Sequence, residues 1–342
     1  MPNIREDADV MSHQNPSRTR PGIVRIALAS ALALGAFAAL PASAQVPARF
    51  YWKTLSGGNA VPVVVNSISG NTNPFDPAHV VSPDAEVNAT LLLSGYAHTF
   101  TWFGRSAMAA LIVPMGRISG EVSGVGTVTQ TSAGFGDPMF EFDLNIVGPK
   151  AQRSIPDVLR YEPRFTIDIL ADLAVPIGEY DNTQSLNIGQ NRWYGRIGAP
   201  VLLQLGGWVP GRRTTLEFLP AVWLFGPNED YVGRTLKTDP MFQLDSHLTR
   251  DLTEHLWTAF DVAWYTGGAA SIDGMAGEKL NNVGLGFTLG YALNDNLAMT
   301  VGYKSPVNDR APGDLKMDGF MVSLVYGWHP IIEGMKRLKG GE

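Results

Sequence analysis

Residues that alternate between apolar and polar or small side chains recur along most of this 342-residue chain. In the stretch 165–175, apolar side chains from Phe165 to Val175 take every second position, and Asp168 and Asp172 fall between them. The stretch 283–291 repeats the pattern, with glycine or threonine opposite the apolar residues. A period of two belongs to β-strands, whose successive side chains point to opposite faces. No helical pattern of comparable strength follows residue 45, so the chain is predicted to be all-β.

Such alternation fits a soluble sandwich or barrel with apolar side chains inside, or a membrane barrel with apolar side chains against lipid. The predicted strands, about 10 to 14 residues long, exceed the usual 5 to 6 of soluble sheets. Trp and Tyr cluster near strand ends, as in the aromatic girdles of a membrane interface. We assign Trp193, Trp223, Trp264 and Trp328 to this interface, within a wider set that includes Trp102, Tyr194, Trp208, Trp257 and Tyr265. The predicted fold is a transmembrane antiparallel β-barrel.

The strand count follows from the alternating segments and the connections between them. Eleven segments are found at 87–101, 105–118, 134–147, 163–177, 191–206, 213–226, 239–250, 255–267, 280–292, 296–305 and 318–328. Long polar connections are predicted outside the cell, at 119–132, 178–190, 227–238, 268–279 and 306–317. The other connections are predicted in the periplasm, at 102–104, 148–162, 207–212, 251–254 and 293–295, of which 148–162 is longer than expected for a periplasmic turn. The segment 87–101 then runs inward, so a strand must precede it, and 61–69 is the candidate. Twelve strands put both termini in the periplasm.

The N-terminus reads as an export signal of a Gram-negative bacterium. Arg18, Arg20 and Arg25 precede an apolar run from Ile26 to Leu40, and the small residues 42–44 follow. This pattern predicts a signal peptide with an N-terminal extension over residues 1–44, and a mature chain that starts near Gln45. The alternative is an uncleaved anchor helix, but the run is short of the roughly 20 residues that span a bilayer. We expect the barrel over 45–329 and a flexible, basic periplasmic tail over 330–342.

Composition narrows the possible partners. Only 17% of the residues are charged, and the net charge of −6 becomes −7 once four basic and three acidic residues of 1–44 are removed. About 25% charged residues is usual for soluble domains, and a net negative charge argues against nucleic acid as a partner. The expected partners are outer-membrane lipids, a small-molecule solute and the barrel-assembly machinery during biogenesis. The absence of cysteine fits export without disulfides.

Two polar segments resemble the core of a known family. They are Val175-Pro-Ile-Gly-Glu-Tyr-Asp181 and Leu186-Asn-Ile-Gly-Gln-Asn-Arg-Trp193. They are similar to the P-x-G-x-Y-D and N-x-G-x-N-R-W motifs of the family called putative MetA-pathway of phenol degradation. Further similar segments are Phe103-Gly-Arg-Ser106, Val113-Pro114, Gly134-Phe-Gly-Asp-Pro138, Asp239-Pro240, Thr266-Gly-Gly268 and Asp273-Gly274. The resemblance covers residues 75–330 and implies an outer-membrane barrel of transporter type, named for operons that degrade aromatic compounds.

Acidic residues recur on the face opposite the apolar one, which in a membrane barrel is the lumen. They are Glu141, Asp143, Asp168, Asp172, Glu217, Asp245 and Asp261. Basic residues on the same strands are few, chiefly Arg164, Arg196, Arg213 and Arg250. The acids predict either a solvated lumen in which they pair with arginine or water, or a passage that favours cations. The two interpretations are compatible.

The polar connection 178–193 is a second candidate site. Asp181, Asn191 and Arg192 are predicted to form a constriction or a capture site at the barrel mouth. The alternative is structural: Asp181 and Arg192 tie the loop down while Trp193 anchors the next strand.

No pattern of catalysis, metal binding or cofactor binding emerges. The histidines of the mature chain, His79, His98, His247, His255 and His329, lack metal-ligand spacing, and the glycine-rich stretches lack a phosphate loop's lysine. We therefore expect no enzyme, no metal and no cofactor. The leading hypothesis is a channel or transporter for passive uptake of small compounds, hydrophobic or aromatic ones among them. The alternatives are an outer-membrane barrel enzyme of phospholipase type and a plugged structural or adhesive barrel without transport.

Overall fold

The computed structural model describes residues 47–83, 85–124, 126–311 and 313–340. The predicted signal peptide lies outside these residues. The strands are β1 Asn59–Gly70, β2 Glu86–Trp102, β3 Arg105–Gly124, β4 Gly126–Phe135, β5 Met139–Val147, β6 Phe165–Ala174, β7 Tyr194–Gly198, β8 Val201–Gln204, β9 Thr214–Phe225, β10 Asn228–Tyr231, β11 Arg234–Thr238, β12 Met241–Asp251, β13 Leu256–Gly267, β14 Ala270–Ile272, β15 Met275–Ala276, β16 Leu280–Ala292, β17 Leu297–Pro306 and β18 Met317–Trp328. Helix α1 spans Ile155–Arg160 and helix α2 spans Pro330–Gly340. Neither helix has the length and apolar character needed to cross a bilayer.

Fourteen strands form one antiparallel sheet that closes on itself. β4 and β5 both pair with β3 and together occupy one strand position of the barrel wall. β7 and β8 both pair with β6 and β9 and together occupy another. Counting each of these two pairs as one strand gives a barrel wall of twelve strands. β1 pairs with β18 from Asn59↔Trp328 to Gly70↔Met317 and closes the barrel. The predicted twelve-stranded transmembrane barrel is confirmed, including a first strand at the position inferred from strand parity.

The two ends of the barrel differ in their connections. Tight turns lie at one end, here called the turn end, and both described termini lie there too. Phe103 and Gly104 join β2 to β3 in a two-residue turn with φ of 48° and 76°, the left-handed geometry of a hairpin turn. The opposite end, here called the loop end, carries the long connections. There β10, β11, β14 and β15 pair into a separate four-stranded sheet.

Alternation along the strands separates an apolar outside from a polar inside. On β6, Ile169 is 46% exposed whereas the adjacent Asp168 is 1% exposed. Exposed aromatic and aliphatic side chains continue this outer surface on the other strands, among them Phe140, Phe260, Phe287 and Tyr326. In a membrane barrel these side chains face lipid and the polar ones face the lumen.

Two loop-end connections fold into the barrel mouth. Phe75, from the connection 71–85, and Ile188, from the connection 175–193, join a buried apolar cluster with wall residues such as Ile112. Phe75 contacts the barrel wall at Gly116 of β3. A Cβ atom added to Gly116 would lie 3.1 Å from the Phe75 ring and 2.1 Å from the Thr90 carbonyl oxygen, so a side chain at this position would clash. The loop end of the lumen is therefore lined with apolar side chains.

The segment after the last strand differs from the expectation. A flexible tail was expected over residues 330–342, but the described part forms helix α2. Ile332 of this helix is buried and packs in a cluster with Leu55 and with Val158 of helix α1. The expectation rested on charge alone and missed that Ile332 and Met335 lie one turn apart on one face of a helix.

Candidate functional site in the barrel interior

All seven predicted lumen acids are buried inside the barrel, between 0% and 6% exposed. They lie on β5, β6, β9, β12 and β13. Burial of a carboxylate is costly unless it is paired or hydrogen-bonded. Their partners therefore show what fills the interior.

A segment that precedes the first strand supplies several of these partners. Residues 47–58, here called the N-terminal segment, lie inside the barrel near the turn end. The Arg49 side chain donates from Nη1 to Asp251 Oδ1 at 2.6 Å, and its backbone N–H donates to Glu217 Oε2 at 2.7 Å. Its guanidinium lies 4.3 Å from the ring centre of Trp52 and 4.5 Å from that of Trp257. Burial lowers the pKa of Arg49 to about 10 against the opposing effect of Asp251, so Arg49 is charged at neutral pH.

The other end of the N-terminal segment is bound to the opposite wall. Lys53 Nζ lies 2.6 Å from Asp143 Oδ1 on β5 and 2.5 Å from Asp168 Oδ2 on β6. Burial alone would lower the pKa of Lys53, but these two carboxylates raise it. Arg49 contacts β9 and β12, so the segment crosses the lumen from one wall to the other. Acids of β5, β6 and β9 therefore bind the protein's own chain.

Further contacts fix the exit of the segment from the barrel. Trp52 Nε1 donates to Glu217 Oε1 at 2.7 Å, and its ring lies 4.6 Å from that of Trp208. The Ser56 N–H donates to the Gln152 carbonyl oxygen at 2.8 Å, and the Ser56 carbonyl oxygen lies 2.9 Å from His329 Nε2. The segment is thus bound by the barrel wall, by the connection that contains Gln152 and by His329 next to helix α2.

The N-terminal segment and one side of the barrel wall line a small cavity. A cavity of about 20 Å³ lies between the segment and the wall of β2, β3 and β5, next to Thr99, Met108 and Asp143. A space of this size holds about one water molecule. The lumen is constricted here by the N-terminal segment.

Arg196 pairs with a second group of acids, nearer the middle of the barrel. Its side chain contacts Asp172 at 2.6 Å and lies 5.1 Å from the ring centre of Trp223. Trp223 is fully buried and donates from Nε1 to Gln243 Oε1 at 2.6 Å. The assignment of Trp223 to the membrane interface is therefore wrong. Trp223 shares the inward phase of β9 with Glu217, since the two positions are six residues apart.

The remaining interface tryptophans lie on the outer face. Trp193 and Trp264 are 53% and 37% exposed and lie at the loop end. Trp328, at the turn end, packs with its ring 6.2 Å from Tyr96 and 5.8 Å from Tyr326. In the wider aromatic set, Tyr194, Trp257 and Tyr265 are buried inside instead.

A histidine–carboxylate pair lies on β12 and β13. His247 Nδ1 lies 2.6 Å from Asp261 Oδ1, and Thr288 donates its hydroxyl to Asp261 Oδ2 at 2.5 Å. Register could have found this pair, because His247 and Asp261 face each other across neighbouring strands. Among the described residues, no serine or threonine hydroxyl is hydrogen-bonded to the His247 ring, so this pair has no nucleophile beside it.

The basic partners differ in part from those expected. Arg196 and Arg213 are buried and bind Asp172 and Asp251, as a lumen position requires. Arg164 and Arg250 point outward: Arg164 pairs with exposed Glu162, and Arg250 donates to Thr214. Sequence reasoning missed Arg49, Lys53 and Asp251. Arg49 and Lys53 lie in a segment that lacks the two-residue alternation of a β-strand. The run of basic and aromatic residues from 49 to 53 is the sequence feature that could have indicated a lumen position.

The loop 178–193 is anchored, but not as expected. Arg192 is buried and bonds across the mouth to Asp76 and to Thr238. Asp181 is exposed, and among the described residues its carboxylate accepts hydrogen bonds only from Thr183 and Gln184 of its own turn. Asn191 donates to Asn228 at 3.1 Å. Arg192 therefore ties the loop down, whereas Asp181 only shapes it.

The comparisons with known proteins agree with this architecture. Residues 57–324 match a family model described as Putative MetA-pathway of phenol degradation. No curated protein sequence matches the chain. The chain is similar to the COG4313 outer membrane channel from Pseudomonas putida F1, with 17% identity, a TM-score of 0.66, and coverage of 82% of this chain and 99% of that one. This likeness shows the fold.

Two more distant structures are also similar. The β domain of the Bordetella autotransporter BrkA has 8% identity, a TM-score of 0.47, and coverage of 80% of this chain and 100% of that one. A NanC porin has 10% identity, a TM-score of 0.42, and coverage of 78% and 98%.

Proposed function

This chain belongs to the family described as Putative MetA-pathway of phenol degradation, and we propose that it is a Gram-negative outer-membrane channel for the passive entry of small solutes. Its apolar outer surface supports a position in lipid, and the loop end then faces the cell exterior. The predicted signal peptide supplies export. The proposed mechanism is diffusion through a constricted lumen, with no catalytic step.

The observation that carries this proposal is the N-terminal segment across the lumen. Ion pairs and hydrogen bonds of Arg49 and Lys53 hold it across the lumen. Backbone pairing with the wall is found at its end, between Gly57–Gly58 and Thr99 of β2. The barrel wall is complete without it, because β1 and β18 close the sheet. A constriction that is independent of the wall can narrow a passage without abolishing the barrel.

Charge supports a preference for cations. Eight buried carboxylates lie on the strands, the predicted seven and Asp251. Five cations lie among them, namely Arg49, Lys53, Arg196, Arg213 and Lys304. An excess of three carboxylates in a narrow passage favours cations over anions.

The finer proposal concerns hydrophobic or aromatic solutes. The family's description supports it, and so does the apolar cluster of Phe75, Ile188 and Ile112 at the loop end of the lumen. Polar constriction and apolar mouth together suit a small molecule that is mostly apolar but carries one polar group.

The constriction also favours a second candidate, a barrel that is plugged and passes no solute. The small cavity between the N-terminal segment and the wall of β2, β3 and β5 has space for about one water. The two candidates differ in what happens when the segment is loosened.

Conductance in planar bilayers distinguishes them. Arg49→Ala with Lys53→Ala removes the side-chain ion pairs of the segment with both walls, and Arg164→Ala with Arg250→Ala removes two outward arginines as a matched control. We expect cation-selective conductance that is larger in the first double variant than in the wild type, and unchanged in the second. Retained heat-modifiability verifies an intact barrel. Equal, negligible conductance in all three proteins would favour the plugged barrel and contradict the channel.

A further inference from the structure

A cavity of about 610 Å³ lies at the loop end, apart from the N-terminal segment. It is enclosed by three connections, the first after β1, the second after β13 and the third after β17. Most of its lining is apolar or glycine, including Val80, Val81, Pro83, Ala270, Leu280 and Ala311. Its charged lining residues, Glu278 and Lys279, are exposed. Small-molecule sites commonly measure 300–1,000 Å³ and combine an apolar lining with a few polar groups.

His79 is the buried polar residue of this cavity wall. Its side chain is fully buried, and both ring nitrogens lack a hydrogen-bond partner. Its ring makes an edge contact with Tyr265 at 5.5 Å between ring centres. Buried polar groups in proteins are nearly always hydrogen-bonded, so an imidazole with two free nitrogens needs an explanation.

The backbone around His79 is firmly placed. His79 has a φ of 47°, in the left-handed region that non-glycine residues rarely adopt, and its N–H donates to the Asp76 carbonyl oxygen at 3.1 Å. The Asp76 carboxylate is in turn bound by Arg192. Strained backbone of this kind persists where the surroundings hold it, often at ligand sites. The unpaired imidazole is therefore a built feature of the mouth.

The chemistry of the ring selects the ligand. Burial lowers the pKa of His79 to about 4, against a weaker opposing effect of Asp76, so the ring is neutral at pH 7. A neutral imidazole offers one N–H donor and one nitrogen acceptor. A ligand hydroxyl group complements the acceptor nitrogen by donating its hydrogen, whereas a charged group would lose its hydration in an apolar cavity.

We propose that this cavity binds a small, neutral and largely apolar molecule that carries a hydroxyl group, with His79 as its hydrogen-bonding partner. The ring nitrogens are covered by neighbouring atoms, so the ring turns toward the cavity during binding. This inference rests on the proposed function, because it names a class of solute that binds at the mouth before it passes through the lumen. The affinity of the cavity for such a molecule can be measured independently of transport through the lumen.

The test uses the full-length mature protein in amphipol, which avoids the apolar competition of detergent. The probes are 4-propylphenol and 4-propylanisole, which differ only in whether the oxygen carries a hydrogen or a methyl group. Isothermal titration follows binding to the wild type, to His79→Phe and to the control His255→Phe, an exposed histidine at the turn end. Phenylalanine keeps a ring in the cavity wall and leaves no unpaired nitrogen.

We expect one saturable site for 4-propylphenol, and about a tenfold weaker affinity for the anisole, in line with the loss of one hydrogen bond. His79→Phe should weaken phenol binding by a similar factor and remove the preference, while His255→Phe binds as the wild type does. Equal affinity for the two probes in the wild type, or no saturable site, would overturn the proposal. Bilayer conductance of the same proteins reports on passage separately, so failure of the channel and failure of the site give different results.

Discussion

Arg192 Nη2 donates to both carboxylate oxygens of Asp76, each at 2.8 Å, and joins two loop-end connections that are 116 residues apart in the chain. Both side chains are nearly fully buried, and the guanidinium also lies 5.0 Å from the ring centre of Phe225. A buried pair of this kind is costly to break by removing one partner, because the other charge stays buried and unpaired.

The first prediction follows from this pair. Asp76→Asn should lower the free energy of unfolding by about 3 to 5 kcal/mol and make the connections 71–85 and 175–193 sensitive to protease. Urea unfolding and limited proteolysis of the purified barrel measure the two effects. Asp181→Ala is the control, since Asp181 is exposed and bonds within its own turn; a similar loss in that variant would contradict the assignment of Arg192 as the anchor.

The second prediction concerns the faces of β6. Ile169→Arg places a charge on the outer face in the middle of the strand, where it should cost about 2 to 4 kcal/mol of stability in a bilayer. Phe165→Arg lies on the same face at the strand end and should cost about 0 to 1 kcal/mol. Unfolding in lipid vesicles by urea measures both. Equal costs at the two positions would show that the outer face does not meet lipid.

The third prediction is a pH dependence at the mouth. Because the pKa of His79 is lowered to about 4 while an unfolded histidine titrates near 6.5, the unfolded chain binds the extra proton between these values. Stability should be full above pH 6.5 and fall by up to about 3 kcal/mol as the pH drops toward 4. The loss should be smaller in His79→Phe than in the wild type or in His255→Phe, by urea midpoints at pH 7.5 and 5. Identical pH profiles in all three would disprove the role of His79.

The fourth prediction tests the turn end. Ile332→Ala removes a buried side chain that packs in one cluster with Leu55 of the N-terminal segment, and should cost about 2 to 5 kcal/mol. The loosened segment should also make bilayer conductance larger or noisier. Leu338→Ala, at an 85% exposed position of the same helix, is the control. A variant that loses stability with unchanged conductance would show that helix α2 does not hold the segment.

The strands and their faces were predictable from the sequence because alternation is a local property. Asp168 and Ile169 differ in burial as the period of two requires. The same reasoning was available for Trp223, which is in phase with Glu217, but a tryptophan near a strand end was assigned by residue type instead. Phase within the strand is the stronger signal, because it fixes which face the ring occupies.

The contents of the lumen were not predictable in this way. Arg49 and Asp251 are 202 residues apart, and Lys53 and Asp143 are 90 apart. The N-terminal segment has no period, so its position follows from tertiary pairing alone. Because Lys53 contacts Asp168, the substitution Asp168→Asn would remove a charge that holds the N-terminal segment.

The pairing of β1 with β18 sets the order in which this protein can be assembled. Asn59 cannot pair with Trp328 before almost the whole chain has been synthesised. Up to that point the sheet has two open edges with unpaired backbone groups. Leu55 of the N-terminal segment can pack against Ile332 only after the last strand has been synthesised, because helix α2 follows that strand directly. Completion of the wall and seating of the segment are therefore late events of biogenesis, and a chain truncated before Met317 could achieve neither.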